Sequence, residues 1–208
     1  MEVISLPAKK IPQAASVIGE AFLNEGFTKR MFNLRNKQSK YLFTKAMELK
    51  ISIYNKLGQP MWVTIVDDQV VGVGVLKEYD QKKLPFKDIL KCILPLIKLT
   101  PFLFRINYRN LNTLKRASEK PTCIESPHAT LEALAVHPHH QGKGIGKLLI
   151  KKIHEEASKK DRISGIYLFT SDEKNKTLYE GLGYNIFQER NLDLITAYHM
   201  YYEFSSSS

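Results

Sequence analysis

The spacing of apolar and polar residues changes several times along the chain, and each change predicts an element. Glu2 to Leu6 alternates, as a short strand does. Ile11 to Leu23 carries Ala14, Val17, Ile18, Ala21 and Phe22 at helical spacing, and Asn24-Glu25-Gly26 ends it. A second helix is predicted from Lys37 to Leu57, with Leu42, Ala46, Leu49 and Ile53 on one side and Gly58 as its stop. At this spacing its aromatic residues, Tyr41 and Phe43, are expected in the core rather than in a substrate pocket. Met61–Val66 and Val70–Leu76 read as strands of an antiparallel hairpin joined by Asp67-Asp68-Gln69. Gly72 and Gly74 thin one face of the second strand, which suits close approach of a ligand or helix, or a bulge.

Further on, Leu131 to Val136 is an apolar run broken only by Glu132, predicted to be a strand buried on both faces and ended by Pro138. Gly142, Gly144 and Gly146 follow, and then a helix with Leu149, Ile153 and Ala157 on one stripe and Lys151, Lys152, Glu155 and Glu156 outside. Ile163–Thr170 is the next strand, so Leu131 to Thr170 forms a right-handed βαβ unit. Tyr184–Glu189 and Ile195–Phe204 supply closing antiparallel strands, and Ser205–Ser208 is a polar tail expected to be disordered. Between the hairpin and the βαβ unit, Tyr79 to Pro127 is the least regular stretch, with helices expected near Pro85–Leu99 and Phe102–Lys115. Its apolar, basic character invites comparison with membrane-surface segments, but no regular charged-face helix is evident in it, and a lid or a local core is expected.

At 208 residues and 43% hydrophobic content, one domain over residues 1–204 is expected. The only cysteines, Cys92 and Cys123, and the lack of a signal segment before Glu2–Leu6 point to a reducing, cytoplasmic location without a disulfide framework. The window Ile89–Phe104 is cut by Lys91, Pro95, Lys98 and Pro101 and falls short of the ~20 apolar residues that a membrane span needs. Formal charge is +10, and residues 77–120 hold eleven Lys/Arg against four Asp/Glu. Such a segment reads first as a solvated face and second as an attractor of acidic ligands. No nucleic-acid-binding module accompanies it, so no nucleic-acid partner is expected. His137, His139 and His140 lie in one turn without Cys or carboxylate at ligand spacing, so no metal is expected.

The three glycines allow a tight turn and bare backbone N–H groups where a helix begins, an arrangement that binds phosphate through unpaired donors and the helix dipole. Two familiar phosphate motifs are excluded. A P-loop needs glycine at Gln141 and Ser or Thr at Leu148, and the dinucleotide fingerprint needs glycine at Lys147. The pattern that fits is Q-x-x-G-x-G, formed by Gln141, Gly144 and Gly146 directly after a strand ending Leu-Ala-Val-x-Pro. Some thirty residues later, Asn175 precedes a short helical stretch carrying Tyr179 and ending in Gly183-Tyr184. With both motifs in this order, the chain resembles the GNAT superfamily of acetyl-CoA-dependent N-acetyltransferases, strongly over Leu131–Tyr184 and weakly before Pro127.

That resemblance implies an α/β fold with a mixed central sheet of about seven strands flanked by helices. A helical insertion, residues 79–127, would cover the acceptor site ahead of the acetyl-CoA-binding βαβ unit. It implies direct transfer of acetyl from acetyl-CoA, as cosubstrate, to a primary amine on a small molecule or peptide, by a monomer or homodimer. The glycine loop, Gln141 to Lys147 with Gln141, Gly142, Lys143, Gly144, Ile145, Gly146 and Lys147, would hold the pyrophosphate; Leu134, Ala135 and Val136 would meet the pantetheine arm and Asn175 would hold the cofactor through its amide. The backbone N–H of Val136 would steady the carbonyl oxygen. Glu132, a lone carboxylate in an apolar strand, is the candidate general base, with His128 four residues upstream as its rival, and Tyr179 is the candidate acid for the leaving sulfur. The alternative is a non-catalytic acyl-CoA-binding sensor of the same fold.

Overall fold

A computed structural model describes residues 1–78, 85–122, 124 and 127–204. The expectations for the tail, for Cys123 and for the start of the insertion fall outside the described residues. The strands are β1 (Glu2–Ser5), β2 (Met61–Val66), β3 (Gln69–Lys77), β4 (Ala129–Val136), β5 (Gly165–Thr170), β6 (Asn185–Leu192) and β7 (Ile195–Glu203). They form a seven-stranded sheet in the order β1-β2-β3-β4-β5-β7-β6. Every pairing is antiparallel except β4 with β5, the pair joined through a helical crossover. The sheet is thus the mixed one expected.

Helices cover both faces. On one face lie α1 (Ile11–Phe22) and α3 (Lys37–Lys56), burying Ala14, Val17, Ile18 and Ile51 against Val63, Val73 and Val75. On the other lies α7 (Ile145–Ser158), whose Leu149, Ile150 and Ile153 are fully buried against Leu76, Leu131, Ile166, Leu168 and Met200. Burial of each such side chain is worth about 1.5–3 kcal/mol. The glycines of β3 serve this packing: a Cβ on Gly72 would lie 2.6 Å from Ile145 Cγ2, and one on Gly74 would lie 2.7 Å from Ile153 Cδ1. Of the readings left open for Gly72 and Gly74, close approach of a helix is found at both, and a register shift that leaves Val71 unmatched against β2 puts a bulge beside Gly72 as well.

Three local readings change. The hairpin closes over Asp67-Asp68 alone, both with positive φ (48° and 59°), and β3 starts at Gln69. A short helix, α2 (Gly26–Met31), follows the predicted break; the Glu25 carboxylate starts it by accepting from the N–H groups of Phe27 and Thr28 at 2.9 and 2.7 Å. Phe43 is buried as expected, but Tyr41 is 60% exposed.

Within the insertion lie α4 (Phe86–Lys98), α5 (Thr100–Leu103) and α6 (Leu111–Ser118). A local core exists only in part: Leu114 and Ala117 of α6 pack with Ile195 and Ala197 of β7, and Phe102 packs with Leu42 and Phe43. On α4 a local core does not form, because most of its apolar side chains face outward. No described helix is long and apolar enough to cross a membrane.

Candidate functional site

Strand β4 sets the geometry. Its pairing with β3 runs Gly72 to Val136 through Val75 to Ala133 and then jumps to Leu76 with Leu131, so Glu132 is the extra residue of a β-bulge. The bulge changes which side chains share a face: Leu131 packs on the α7 side, whereas beyond it Leu134 and Val136 do so and Ala133 and Ala135 turn toward α1. A strand evenly buried on both faces, as expected from composition, is therefore a strand with a kink at its one carboxylate.

The bulge is followed by a parting of strands. The His137 N–H donates to the Val71 carbonyl at 2.9 Å, which makes 71 and 137 a hydrogen-bonding pair of the antiparallel ladder. By alternation, Ala135 and Ala133 bond β3, and the backbone groups of Leu134 and Val136 point away from β3 toward β5. Yet β4 pairs with β5 only at Ala129–Ile166 and Thr130–Tyr167. Those backbone groups thus face an opening, where the Gln141 side-chain amide reaches the Val136 carbonyl at 3.1 Å.

The opening is one wall of a cleft of about 720 Å³ lined by Leu134, Ala135, Val136, Gln141, Gly142, Gly144, Ile145, Gly146, Lys147, Asn175 and Tyr179. The glycine loop rounds its end. Gly142 and Gly144 have φ of 76° and 79°, a region that L-residues with side chains avoid. Gly144 also stands at the N-cap of α7, which has no side-chain cap, so the first-turn amides of the helix are left for a ligand. A Cβ on Gly146 would meet only Leu134 and Val136, at 3.9 Å, so the fold itself leaves room for one there. Converging amides at a positive helix end suit a diphosphate, and the open strand edge suits an amide-bearing arm.

Helix α8 (Glu173–Glu180) supplies the opposite wall. The Asp172 carboxylate starts it, accepting from the N–H groups of Lys174 and Asn175 at 2.9 and 3.1 Å. This fixes exposed Asn175 and, one turn on, buried Tyr179 at the cleft. Burial pushes the Tyr179 phenol above its ordinary range, so it stays protonated. Lys143 is exposed beside the loop and does not line the cleft, while Lys147 does.

A second cavity, of about 450 Å³, opens at the other end of β4 and is lined by His128, Glu132, Lys120, Glu78, Tyr167 and Phe169 among others. His128 and Glu132 therefore share one cavity. Glu132 does not stand as the sequence implied. The Glu132 carboxylate is not isolated among apolar groups: Lys50 Nζ lies 2.8 Å from its Oε2, and the Tyr54 phenol stands within reach of its charge. Burial first, and then the charge of Glu132, push the Tyr54 phenol upward. His128 is buried, with Lys120 Nζ 3.2 Å from its Nε2. A lysine ammonium only donates, so that nitrogen is the acceptor of the pair. Lys50, Tyr54 and Lys120 carry no motif; only the spacing of Lys50 and Tyr54 on one face of α3 gave a hint of them.

Beneath this cavity the Tyr167 hydroxyl bonds His199 Nδ1 at 2.7 Å, and burial, with a contribution from Arg190, holds the His199 imidazole down at about 4. Of the three histidines of the loop, His137 is the hub: its Nε2 lies 3.0 Å from Glu20 Oε2, its Nδ1 accepts from the His139 N–H at 3.3 Å, and its ring lies 5.4 and 5.8 Å from those of His139 and His140; no metal-holding group of His, Cys, Asp and Glu is present among the described residues.

The acetyltransferase (GNAT) domain model matches residues 113–186. The chain also matches many solved structures. A structure described as histone acetyltransferase HPA2 and related acetyltransferase, from Corynebacterium glutamicum, aligns with a TM-score of 0.68 at 17% identity, covering 99% of this chain and 98% of its own. A putative acetyltransferase from Salmonella typhimurium, with its cofactor acetyl-CoA, gives 0.61 at 14% identity over 100% and 96% of the two chains. A ribosomal-protein-alanine N-acetyltransferase from Brucella melitensis gives 0.59 at 14% identity over 98% and 100%. At such identities the likeness is one of fold. No curated protein matches the sequence.

Proposed function

On a GNAT fold spanning the chain and an acetyltransferase-domain match over residues 113–186, we propose that the protein is an N-acetyltransferase moving acetyl from acetyl-CoA directly to a primary amine in a ternary complex. The observation that carries this reading is the parting of β4 from β5 beside the glycine loop. It leaves the backbone of Leu134 and Val136 open along a cleft that begins at phosphate-binding amides and reaches Tyr179.

Acetyl-CoA supplies an activated thioester. The amides of Gly142 to Lys147 hold its diphosphate, Asn175 steadies it, and Leu134 and Val136 bind its pantetheine arm as an added strand would be bound. The Val136 N–H donates to the carbonyl oxygen as charge gathers there. Tyr179 provides the proton for sulfur: a phenol raised by burial is always protonated, and it donates late, as negative charge builds on the sulfur. Glu132 accepts the proton of the amine, directly or through a water. A carboxylate has about four lone-pair sites, and Lys50 and Tyr54 leave acceptor capacity on it, whereas Nε2 of His128 is already engaged by Lys120. Glu132 is thus preferred to His128 as the base.

Incubation with acetyl-CoA and a panel of small amines, amino sugars, polyamines and peptides, with free thiol followed, tests the proposal. Release above the amine-free rate is the expected result. Tight acetyl-CoA binding without release for any acceptor would favour the non-catalytic sensor.

A further inference from the structure

Helix α4 is anchored by one narrow stripe. Cys92 is buried, Asp88, Pro95 and Leu99 are half-buried, and the Asp88 carboxylate lies 3.6 Å from Lys56 Nζ on α3. These positions recur at intervals of three and four, the spacing of a single helical line. The remaining apolar residues, Phe86, Ile89, Leu90, Ile93, Leu94, Leu96 and Ile97, are exposed, and the surface continues through Leu103 to Phe104, which is 87% exposed. Single exposed apolar residues are ordinary; a contiguous face of this kind marks a binding surface.

The charges on the helix are ordered as well. At 100° per residue, Lys87, Lys91 and Lys98 fall within about 40° of one another, between the exposed apolar face and the anchored stripe. All three are exposed. The one acidic residue of α4, Asp88, is half-buried on the anchored side, where its carboxylate lies 3.6 Å from Lys56 Nζ and 3.5 Å from Lys91 Nζ. A regular charged face therefore exists, contrary to the reading from sequence. It was hidden because Cys92, Pro95 and Leu99 look like part of the apolar face until their burial separates them from it.

We propose that α4 and α5 seat the protein on an anionic lipid bilayer. The apolar face enters the headgroup boundary and the lysine row lies at the phosphate level with its stems along the apolar surface. Charge complementarity selects this occupant: Lys87, Lys91 and Lys98 are exposed along the border of the apolar face, and the exposed residues of α4 include no acid. A second copy would offer the face its own cationic row, and the one acid of its α4, Asp88, is half-buried against α3. Leu96, Ile97 and Leu103 also line an apolar groove of about 610 Å³ that ends at Lys50 and Tyr54, the two residues beside Glu132. A bilayer on this face thus lies beside the acceptor end of the candidate site.

Flotation of the full chain with vesicles tests the proposal without requiring turnover, so its outcome is separable from that of the acetyltransferase reading. The protein is expected to float with phosphatidylcholine vesicles containing phosphatidylglycerol and far less with phosphatidylcholine alone. Neutralising the lysine row (Lys87→Gln, Lys91→Gln, Lys98→Gln) should lower partition on the order of a hundredfold, at about one kcal/mol per cation. Leu94→Asp with Ile97→Asp should lower it at least about tenfold, with an unchanged circular dichroism spectrum because both side chains are exposed. Failure of the folded protein to float, equal binding to neutral vesicles, or sedimentation as a dimer that Leu94→Asp disrupts while no vesicle is bound would each overturn it.

Discussion

Helices α7 and α4 each carry apolar residues at helical spacing and put them to opposite use. In α7 the apolar stripe of Leu149, Ile150, Ile153 and Ala157 is buried against the sheet, and the backbone of its first turn is what the molecule turns outward, at the glycine loop. In α4 the apolar side chains themselves are turned outward. One helix secures the fold and presents amides; the other is held by a narrow stripe and presents hydrocarbon. The difference teaches that helical spacing tells which residues share a face, but the partner of that face must be found in the fold.

The largest expected effect sharpens the contrast through chemistry on the β4 side. Glu132→Gln and Tyr179→Phe should each slow turnover by about 10²–10⁴, in the range of general acid–base catalysis, with acetyl-CoA affinity nearly unchanged. Steady-state rates together with calorimetric titration read both quantities, and unchanged turnover in both variants would remove the assigned roles. The paired substitutions Leu94→Asp and Ile97→Asp should leave turnover of a small soluble amine intact.

Stability gives the next largest. Ile153→Ala on α7 should cost about 2–5 kcal/mol in urea denaturation, because a cavity opens beneath β3. Leu94→Ala on α4 should stay within about 0.5 kcal/mol, as expected for a surface position. Equal losses would break the comparison.

An effect of pH on stability follows from the packed part of the molecule. Burial depresses the His154 and His199 imidazoles from 6.5 to about 4, with Arg190 adding to the shift at His199. Between those values the unfolded chain binds more protons than the folded one, so stability is fully present above pH 6.5 and falls as pH drops toward 4. The thermal midpoint should decline over that window, and His154→Gln should flatten the decline. A midpoint that rises on acidification would contradict the burial of these groups.

Removing the ion pair at the candidate base should matter least to the fold. Lys50 and Glu132 side chains are 41% and 20% exposed, so Lys50→Met is expected to change stability by about 0–1 kcal/mol in urea denaturation.

Much of this was legible from residue order alone. The glycine loop, the crossover helix and the Asn175–Tyr184 stretch are specified by residues close in sequence, and their elements lie near where the spacing puts them, with β5 beginning two residues later than predicted and α8 starting at Glu173, so that Asn175 lies inside the helix rather than ahead of it. Helix α2 was not legible, because its six residues lack an apolar period and depend on the Glu25 cap. Nor was the environment of Glu132: the bulge that projects it and the lysine that meets it, 82 positions away, arise only when α3 is laid across the sheet. The outward face of α4 was missed for the same reason, since hydrophobicity alone reads equally as core and as a surface awaiting a partner.

The central claim is that the open edge of β4 and the amides of the glycine loop together hold acetyl-CoA. An amide NMR titration of the isotopically labelled chain with acetyl-CoA tests it directly. The account predicts the largest shifts at Leu134, Val136 and Gly142 to Lys147, with residues of α4 unmoved. Saturating acetyl-CoA that leaves those amides unshifted in the folded protein would contradict it.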